Sequence, residues 1–281
     1  MARVCVTGAA GRAGRSVVRD LLEHGYDVVA TDLAPAPDGL GVELIRAELT
    51  DYGQAVEILD GVEAVVHLAN IPAPGLRTPA STFNANMTMN FNVFHAAVQA
   101  GLGRVVWASS ETTLGLPFDA PPRYAPVNED HYPVPTSTYA LSKVASETVA
   151  EQLAAWSRIP FVALRFSNIL GPADYETFPR YWPDAQARRW NLWGYIDERD
   201  AAQACRRGLE ASVDGARAYV IAAADTVMPR PSLDLMAEVF PGVPVDAGIE
   251  TYGSLLSSAR AQAELGFRPE HSWRDHAAEP S

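Results

Sequence analysis

The sequence is poor in cysteine, short of basic residues and free of long apolar runs, and each shortage excludes something. Two cysteines in 281 residues, Cys5 and Cys205, cannot form a disulfide framework, so a reducing, cytoplasmic compartment is expected. Lys and Arg number 22 against 34 Asp and Glu, for a formal charge of −12. A surface of that sign repels a phosphate backbone, so no nucleic-acid partner is expected. No run of about 18 apolar residues occurs, and Met1 leads directly into a strand-like run without a basic and apolar leader, so neither a membrane span nor export is expected. The histidines and cysteines lack metal-ligand spacing, and no metal is expected. No internal repeat or low-complexity tract interrupts the chain. Its 48% hydrophobic and 20% charged content is that of a globular protein, long enough for one large domain or a domain with a subordinate lobe.

The most informative stretch lies near the start, where Val4-Cys5-Val6-Thr7 runs into Gly8-x-x-Gly11-x-x-Gly14. In a strand-to-helix turn Gly8 permits the sharp reversal, Gly11 lets backbone approach a pyrophosphate, and Gly14 lets the helix pack closely on the sheet. Ala10, Arg12 and Ala13 complete that turn, and the helix N-terminus offers N–H groups and a positive dipole end to phosphates. Glycines also make ordinary turns, so the reading needs a second element. It is found in the strand-like run ending at Asp32-Leu33, roughly 20 residues on, where a ribose ligand is required. A carboxylate there accepts hydrogen bonds from adenosine ribose hydroxyls and repels a 2′-phosphate, which favours NAD over NADP. The alternative is that Asp32 only closes its strand.

The periodicity beyond this point alternates strand and helix. Helices are expected at 15–23, 52–59, 82–100, 136–156, 197–209, 233–239 and 255–265, and strands at 26–32, 42–46, 64–68, 104–108, 161–166 and 218–221. The pattern predicts an α/β fold, a Rossmann-type doubly wound parallel sheet of about seven strands with a small C-terminal substrate-binding lobe. The expected division is an NAD-binding domain over 1–172, with 197–222 returning to it, and a lobe over 173–196 and 223–281. Proline-rich 115–135 reads as a surface loop, and aromatic 173–195 as a lid.

Tyr139 and Lys143 stand four apart, on one face of the expected helix. A cation near a phenol favours the phenolate and lowers the phenol pKa, which would make Tyr139 a usable base. Ser109-Ser110 fall at the end of the fifth strand, where open α/β sheets bind their ligands.

With these residues together, the chain resembles the extended short-chain dehydrogenase/reductase family, also called the NAD-dependent epimerase/dehydratase family. The resemblance runs through the glycine turn, His67-Leu68-Ala69-Asn70, Ser109-Ser110, Tyr139-x-x-x-Lys143, Arg165-Phe166-Ser167-Asn168-Ile169-Leu170-Gly171-Pro172 and Tyr195-Ile196-Asp197. It implies Tyr139 as general acid/base, Lys143 as its electrostatic partner and Ser110 as the hydroxyl that orients the substrate oxygen. It further implies a cofactor wall made by Glu48, Leu49, Leu68, Ala69, Asn70, Asn86, Ser109 and Ile169. Substrate contacts are expected from Ser110, Glu111, Thr112, Tyr139 and Asn168. Asn86 reads equally well as a polar residue facing water, and His67 as a packed core histidine. Family members commonly pair as homodimers through the helices at 82–100 and 136–156.

The departures from the family narrow the reaction. Sugar-nucleotide dehydratases carry Asp-Glu after the catalytic hydroxyl, where this chain has Glu111-Thr112, so water elimination is not expected. The short stretch between Pro172 and Tyr195 is similar to compact members such as uronate dehydrogenases, although those carry Ser-Ser-Asn-His. Arg189, beside Arg188, is a candidate carboxylate or phosphate clamp, or else part of a solvated pair. Trp190 and Trp193 stack on a sugar or fill a small core. The expected activity is NAD-linked oxidation of a hydroxyl carbon of a sugar, sugar acid or polyol, with Tyr139 as general base. The alternatives are an epimerase that retains its cofactor, and a non-catalytic NAD-binding sensor or scaffold.

Overall fold

A computed structural model of the protein describes residues 2–276. Its first half contains β1 (Arg3–Thr7), α1 (Arg12–Glu23), β2 (Asp27–Asp32), β3 (Leu44–Arg46), α2 (Tyr52–Glu57), β4 (Ala64–His67), α3 (Pro79–Ala100) and β5 (Arg104–Ser110). Then come α4 (Thr138–Ser157), β6 (Phe161–Phe166), β7 (Ile169–Leu170), α5 (Pro172–Tyr175), β8 (Ile196–Asp197), α6 (Glu198–Glu210), β9 (Ala216–Ile221), α7 (Ser232–Val239) and α8 (Ala259–Leu265). Seven strands form one parallel sheet in the order β3-β2-β1-β4-β5-β6-β9. The strand order reverses between β1 and β4, which opens a crevice at their carboxyl ends.

Burial alternates along the strands and divides the core by sheet face. Val4, Val6, Val106, Val162 and Leu164 pack with α1 and α6, whereas Cys5, Val105, Trp107, Phe161 and Ala163 pack with α2, α3 and α4. Cys5 and Cys205 therefore lie on opposite faces as free buried thiols.

A further apolar cluster lies outside the sheet layers and joins Leu116, Phe118, Val127, Phe178, Trp193 and Trp273. It corrects the expectation of a surface loop at 115–135. Leu116, Phe118, Ala125 and Val127 are buried, because the prolines hold an irregular path while the apolar residues between them fill the second core. Ala125 bridges Val245, and Val127 bridges Leu256. For the same reason the expected helix at 255–265 is confined to Ala259–Leu265; Leu255 and Leu256 precede it and are buried in this core.

Three smaller differences bear on the site. α1 starts at Arg12, so its first turn is the glycine turn itself. β5 continues to Ser110 and so carries both serines. β7 and β8, absent from the sequence reading, form a separate parallel pair, Ile169 with Ile196 and Leu170 with Asp197. The aromatic segment is a core element more than a lid, since Tyr175, Phe178, Trp193 and Tyr195 are all buried. Residues 277–281, assigned to the lobe from sequence, lie outside the described residues.

Candidate active site

A cavity of about 980 Å³ opens at the carboxyl ends of the strands and extends from the glycine turn to the segment before β8. At one end backbone crowding dictates the residue types. Gly8 has φ +71°, and a Cβ there would sit 2.7 Å from the Ala69 nitrogen. A Cβ on Gly14 would lie 2.0 Å from the Gly8 carbonyl oxygen. Gly11 caps α1 without a side-chain hydrogen bond, which leaves first-turn N–H groups for an anion. Asp32 lines the same end, its Oδ2 accepting from the Ala10 nitrogen and its Oδ1 from the Ala34 nitrogen, both at 2.9 Å.

This donor set fits a dinucleotide. Gly8, Gly11, Arg12, Ala13, Gly14, Asp32, Leu33, Glu48, Leu49, Leu68, Ala69, Asn70, Ser109 and Ile169 all line the cavity, as the sequence reading required. Two expected cofactor residues do not. Ala10 acts through its amide, which holds Asp32. Asn86 is fully buried and clamps the Ile71 backbone, its Oδ1 accepting from the nitrogen at 2.8 Å and its Nδ2 donating to the oxygen at 3.1 Å. Its short polar side chain satisfies a loop instead of a ligand. Arg12 pairs with Asp174 and so ties the glycine turn to α5.

Ser110, Tyr139 and Lys143 meet in the middle of the cavity wall. Ser137 caps α4 by accepting from the Ala140 nitrogen at 3.1 Å, which fixes Tyr139 in the first turn and Lys143 one turn on. Lys143 Nζ donates to the Ala108 carbonyl at 2.7 Å. One turn further, Glu147 accepts from Arg165 at 2.7 and 2.9 Å and from Ser109 Oγ at 2.6 Å. That ion pair locks α4 against β5 and β6.

The electrostatics correct one expectation. Burial pushes the Tyr139 phenol up to about 12; a hydrogen bond with Ser110 opposes this and the Glu111 charge adds to it. Burial likewise lowers Lys143 to about 7 against the pull of Glu147. Helical spacing alone implied a lowered phenol pKa; in the folded chain desolvation sets the direction. His67 is the packed core histidine expected, with Nδ1 against Thr7 Oγ1 at 2.7 Å and Nε2 against Asn90 Oδ1 at 2.9 Å. Asn90 Nδ2 continues the network to Ser146 Oγ at 2.8 Å.

Beyond Tyr139 the wall comprises Glu111, Thr112, Pro117, Ser167, Asn168 and Trp190. Thr112 donates from its nitrogen and its hydroxyl to Ser110 Oγ at 3.2 and 2.9 Å. Burial lifts Glu111 to about 7, opposed by Ser167, Asn191 and the Arg188 guanidinium. Arg189 does not reach this wall and donates to Gln186 at 3.1 Å. Its buried neighbour Arg188 donates to the Gly194 carbonyl at 3.0 Å and stacks 5.0 Å from the Trp190 ring centroid. A 3-10 helix with a kink at Arg188 turns one arginine inward and the other outward. The sequence reading left Ser167 without a role inside a quoted motif, and nothing in the local pattern singled out Asn191.

Comparison with known proteins gives the same picture. The UDP-glucose 4-epimerase of Corynebacterium glutamicum is 25% identical over an alignment that covers 96% of this chain and 92% of that one. The L-arabinose 1-dehydrogenase (NAD(P)(+)) of Haloferax volcanii is 28% identical, with 99% and 98% covered. The structure of the Thermus thermophilus UDP-glucose 4-epimerase in complex with NAD superposes with a TM-score of 0.71 at 25% identity, covering 96% of this chain and 94% of that chain. Residues 4–223 match the family described as the NAD dependent epimerase/dehydratase family. With that match added to the glycine turn, Asp32 and the Ser110–Tyr139–Lys143 group, the chain belongs to this family and is an NAD-dependent enzyme of the extended short-chain dehydrogenase/reductase type.

Proposed function

We propose that the protein is a dehydrogenase that oxidises a hydroxyl carbon of a neutral sugar or polyol. The observation that carries this reading is the substrate wall. Among the described residues, the arginines that line the cavity are Arg12, in the glycine turn, and Arg77, in the segment before α3; none of those between Pro172 and Tyr195 does, whereas Glu111, beside Ser110, does. A sugar acid, a sugar phosphate or a nucleotide sugar needs cationic partners there, and a buried acid opposes them.

Bound NAD supplies the acceptor for the hydride that leaves the substrate carbon. Gly8, Gly11, Arg12, Ala13 and Gly14 would hold its phosphates and Asp32 its ribose. Ser110 Oγ, already an acceptor for Thr112, orients the substrate hydroxyl. Tyr139 removes the hydroxyl proton, and Lys143 provides the neighbouring positive charge that favours the phenolate. Lys143 is held for this by the Ala108 carbonyl. Glu147 and Arg165 keep α4 in register with β5, so that Tyr139 and Ser110 stay within reach of one oxygen.

A second reading, epimerisation with a retained cofactor, draws on the likeness to UDP-glucose 4-epimerases. Incubating the protein with NAD and, in turn, aldoses, polyols and UDP-glucose separates the two. Net NADH formation with a neutral sugar or polyol supports the dehydrogenase. Conversion of UDP-glucose without net NADH refutes it in favour of the epimerase. Homodimer formation belongs to the same proposal, since the packed pair α3 and α4 exposes Phe91, Leu141 and Trp156. Among the described residues no helix is long and apolar enough to cross a membrane.

A further inference from the structure

Unsatisfied polar atoms gather around Glu111, at the far side of the cavity from the dinucleotide end. Among the described residues, Glu111 Oε2, Ser167 Oγ, Asn191 Oδ1 and Arg188 Nε are buried without a hydrogen-bond partner. Glu111, Ser167, Asn191 and Arg188 are neighbours, the last three all acting on the Glu111 carboxyl. Glu111 Oε1 accepts from Asn191 Nδ2 at 3.4 Å. The Arg188 guanidinium and the Ser167 hydroxyl both favour the charged carboxyl, and neither Ser167 Oγ nor Glu111 Oε2 gains a well-formed hydrogen bond. Gly194 closes the cluster, since a Cβ there would fall 3.1 Å from Ser167 Oγ.

A buried donor or acceptor left unmade forfeits its hydration without compensation. Several together at a cavity wall mark a place where a ligand supplies the missing partners. Glu111 and Ser167 both face the cavity that holds Ser110 and Tyr139. Glu111 follows Ser110 directly in the chain, and its charge is felt at the Tyr139 phenol. Asn191 holds the carboxyl through Oε1, the Arg188 guanidinium adds its charge, and Oε2 is left over.

We propose that Glu111 and Ser167 form a second hydroxyl subsite, which binds the substrate hydroxyl neighbouring the one held by Ser110 and Tyr139, so that the enzyme selects a neutral vicinal diol. The carboxylate accepts a hydrogen bond from that second hydroxyl, and the Ser167 hydroxyl engages the same oxygen. An alcohol without the neighbouring hydroxyl would leave both groups unpaired, which is the most effective way for a site to reject an analogue. This inference rests on the dehydrogenase reading, which it sharpens from sugar-like substrates to those with adjacent hydroxyls.

The test uses D-glucose, D-galactose and D-ribose, each beside its 2-deoxy form, with wild type, Glu111→Gln and Ser167→Ala. Two readouts are taken: kcat/KM for NADH formation, and calorimetric binding of the same sugars to the NADH-loaded protein. In the wild type at least one aldose should exceed its 2-deoxy form by about tenfold or more in kcat/KM. In Glu111→Gln that ratio should fall to about threefold or less, with Ser167→Ala between the two. If Glu111→Gln slows an aldose and its 2-deoxy form equally, the carboxyl is structural; the subsite is then refuted and the dehydrogenase reading stands. If the sugars bind with Glu111-dependent discrimination but no NADH forms, the reaction reading fails and the subsite stands. If none of the sugars is oxidised or bound, both are overturned.

Discussion

Lys143 Nζ lies 5.6 Å from the centroid of the Tyr139 ring and is anchored on the Ala108 carbonyl at the end of β5. The two groups share a face of α4 but are buried together, and burial disfavours the charged form of each. The Lys143 ammonium is supported by the Glu147 charge, whereas the Tyr139 phenol has the Glu111 charge set against its ionisation.

Tyr139→Phe removes the phenol oxygen and retains the ring packing. Turnover should drop by about 10² to 10⁴-fold while NAD binding, followed by fluorescence titration with NADH, stays close to wild type. Near-normal turnover would dismiss Tyr139 as the acid/base group.

Asp32→Asn keeps the side-chain shape but removes the charge and one of the two oxygens that accept from the Ala10 and Ala34 nitrogens. The ratio of kcat/KM with NAD to that with NADP should decline by about tenfold or more. A wild type that already prefers NADP would contradict the role given to this carboxylate.

Lys143 also leaves a mark on stability. Its folded value is held near 7 against the ordinary 10.5. Between these values the unfolded chain binds more protons than the native one, so this group makes stability rise with pH; below 7 the burial penalty is present in full. Wild type should therefore gain stability relative to Lys143→Met as pH is raised from 7 to 10 in urea denaturation series. A constant difference across that window would mean that Lys143 titrates normally.

Gly14→Ala introduces a methyl at 2.0 Å from a backbone oxygen, which no side-chain rotation relieves. The first turn of α1 must move off β1. The expected loss is roughly 1 to 3 kcal/mol or more of stability, measured by denaturant unfolding, together with weaker NAD binding.

Much of this site could be read from the chain because its residue types are imposed by short-range geometry. The glycine turn, the acid at the end of β2, and Tyr139 and Lys143 on one helical face are local patterns. β6 was read to the residue because Phe161-Val162-Ala163-Leu164 is an apolar run of the kind a strand covered on both faces shows, with Arg165 its one polar member. What escaped depends on distant partners. The apolar residues of 115–135 meet Val245 and Leu256 only in three dimensions, so their prolines alone suggested a loop. Whether Arg188 or Arg189 turns inward is set by a kink with no sequence signal, and Asn86 is claimed by a loop fifteen residues upstream. The sign of the Tyr139 shift was misjudged because helical spacing reports a neighbour's charge and says nothing of depth.

The pairing of Ala125 with Val245 and of Val127 with Leu256 has a consequence for the nascent chain. The sheet needs no residue beyond Ile221 to align its seven strands, whereas the second core that takes in Leu116, Phe118, Ala125 and Val127 draws members from as far along as Leu256 and Trp273. A chain still under translation can thus hold an aligned sheet while the packing around Leu116 and Phe118 still lacks its last members.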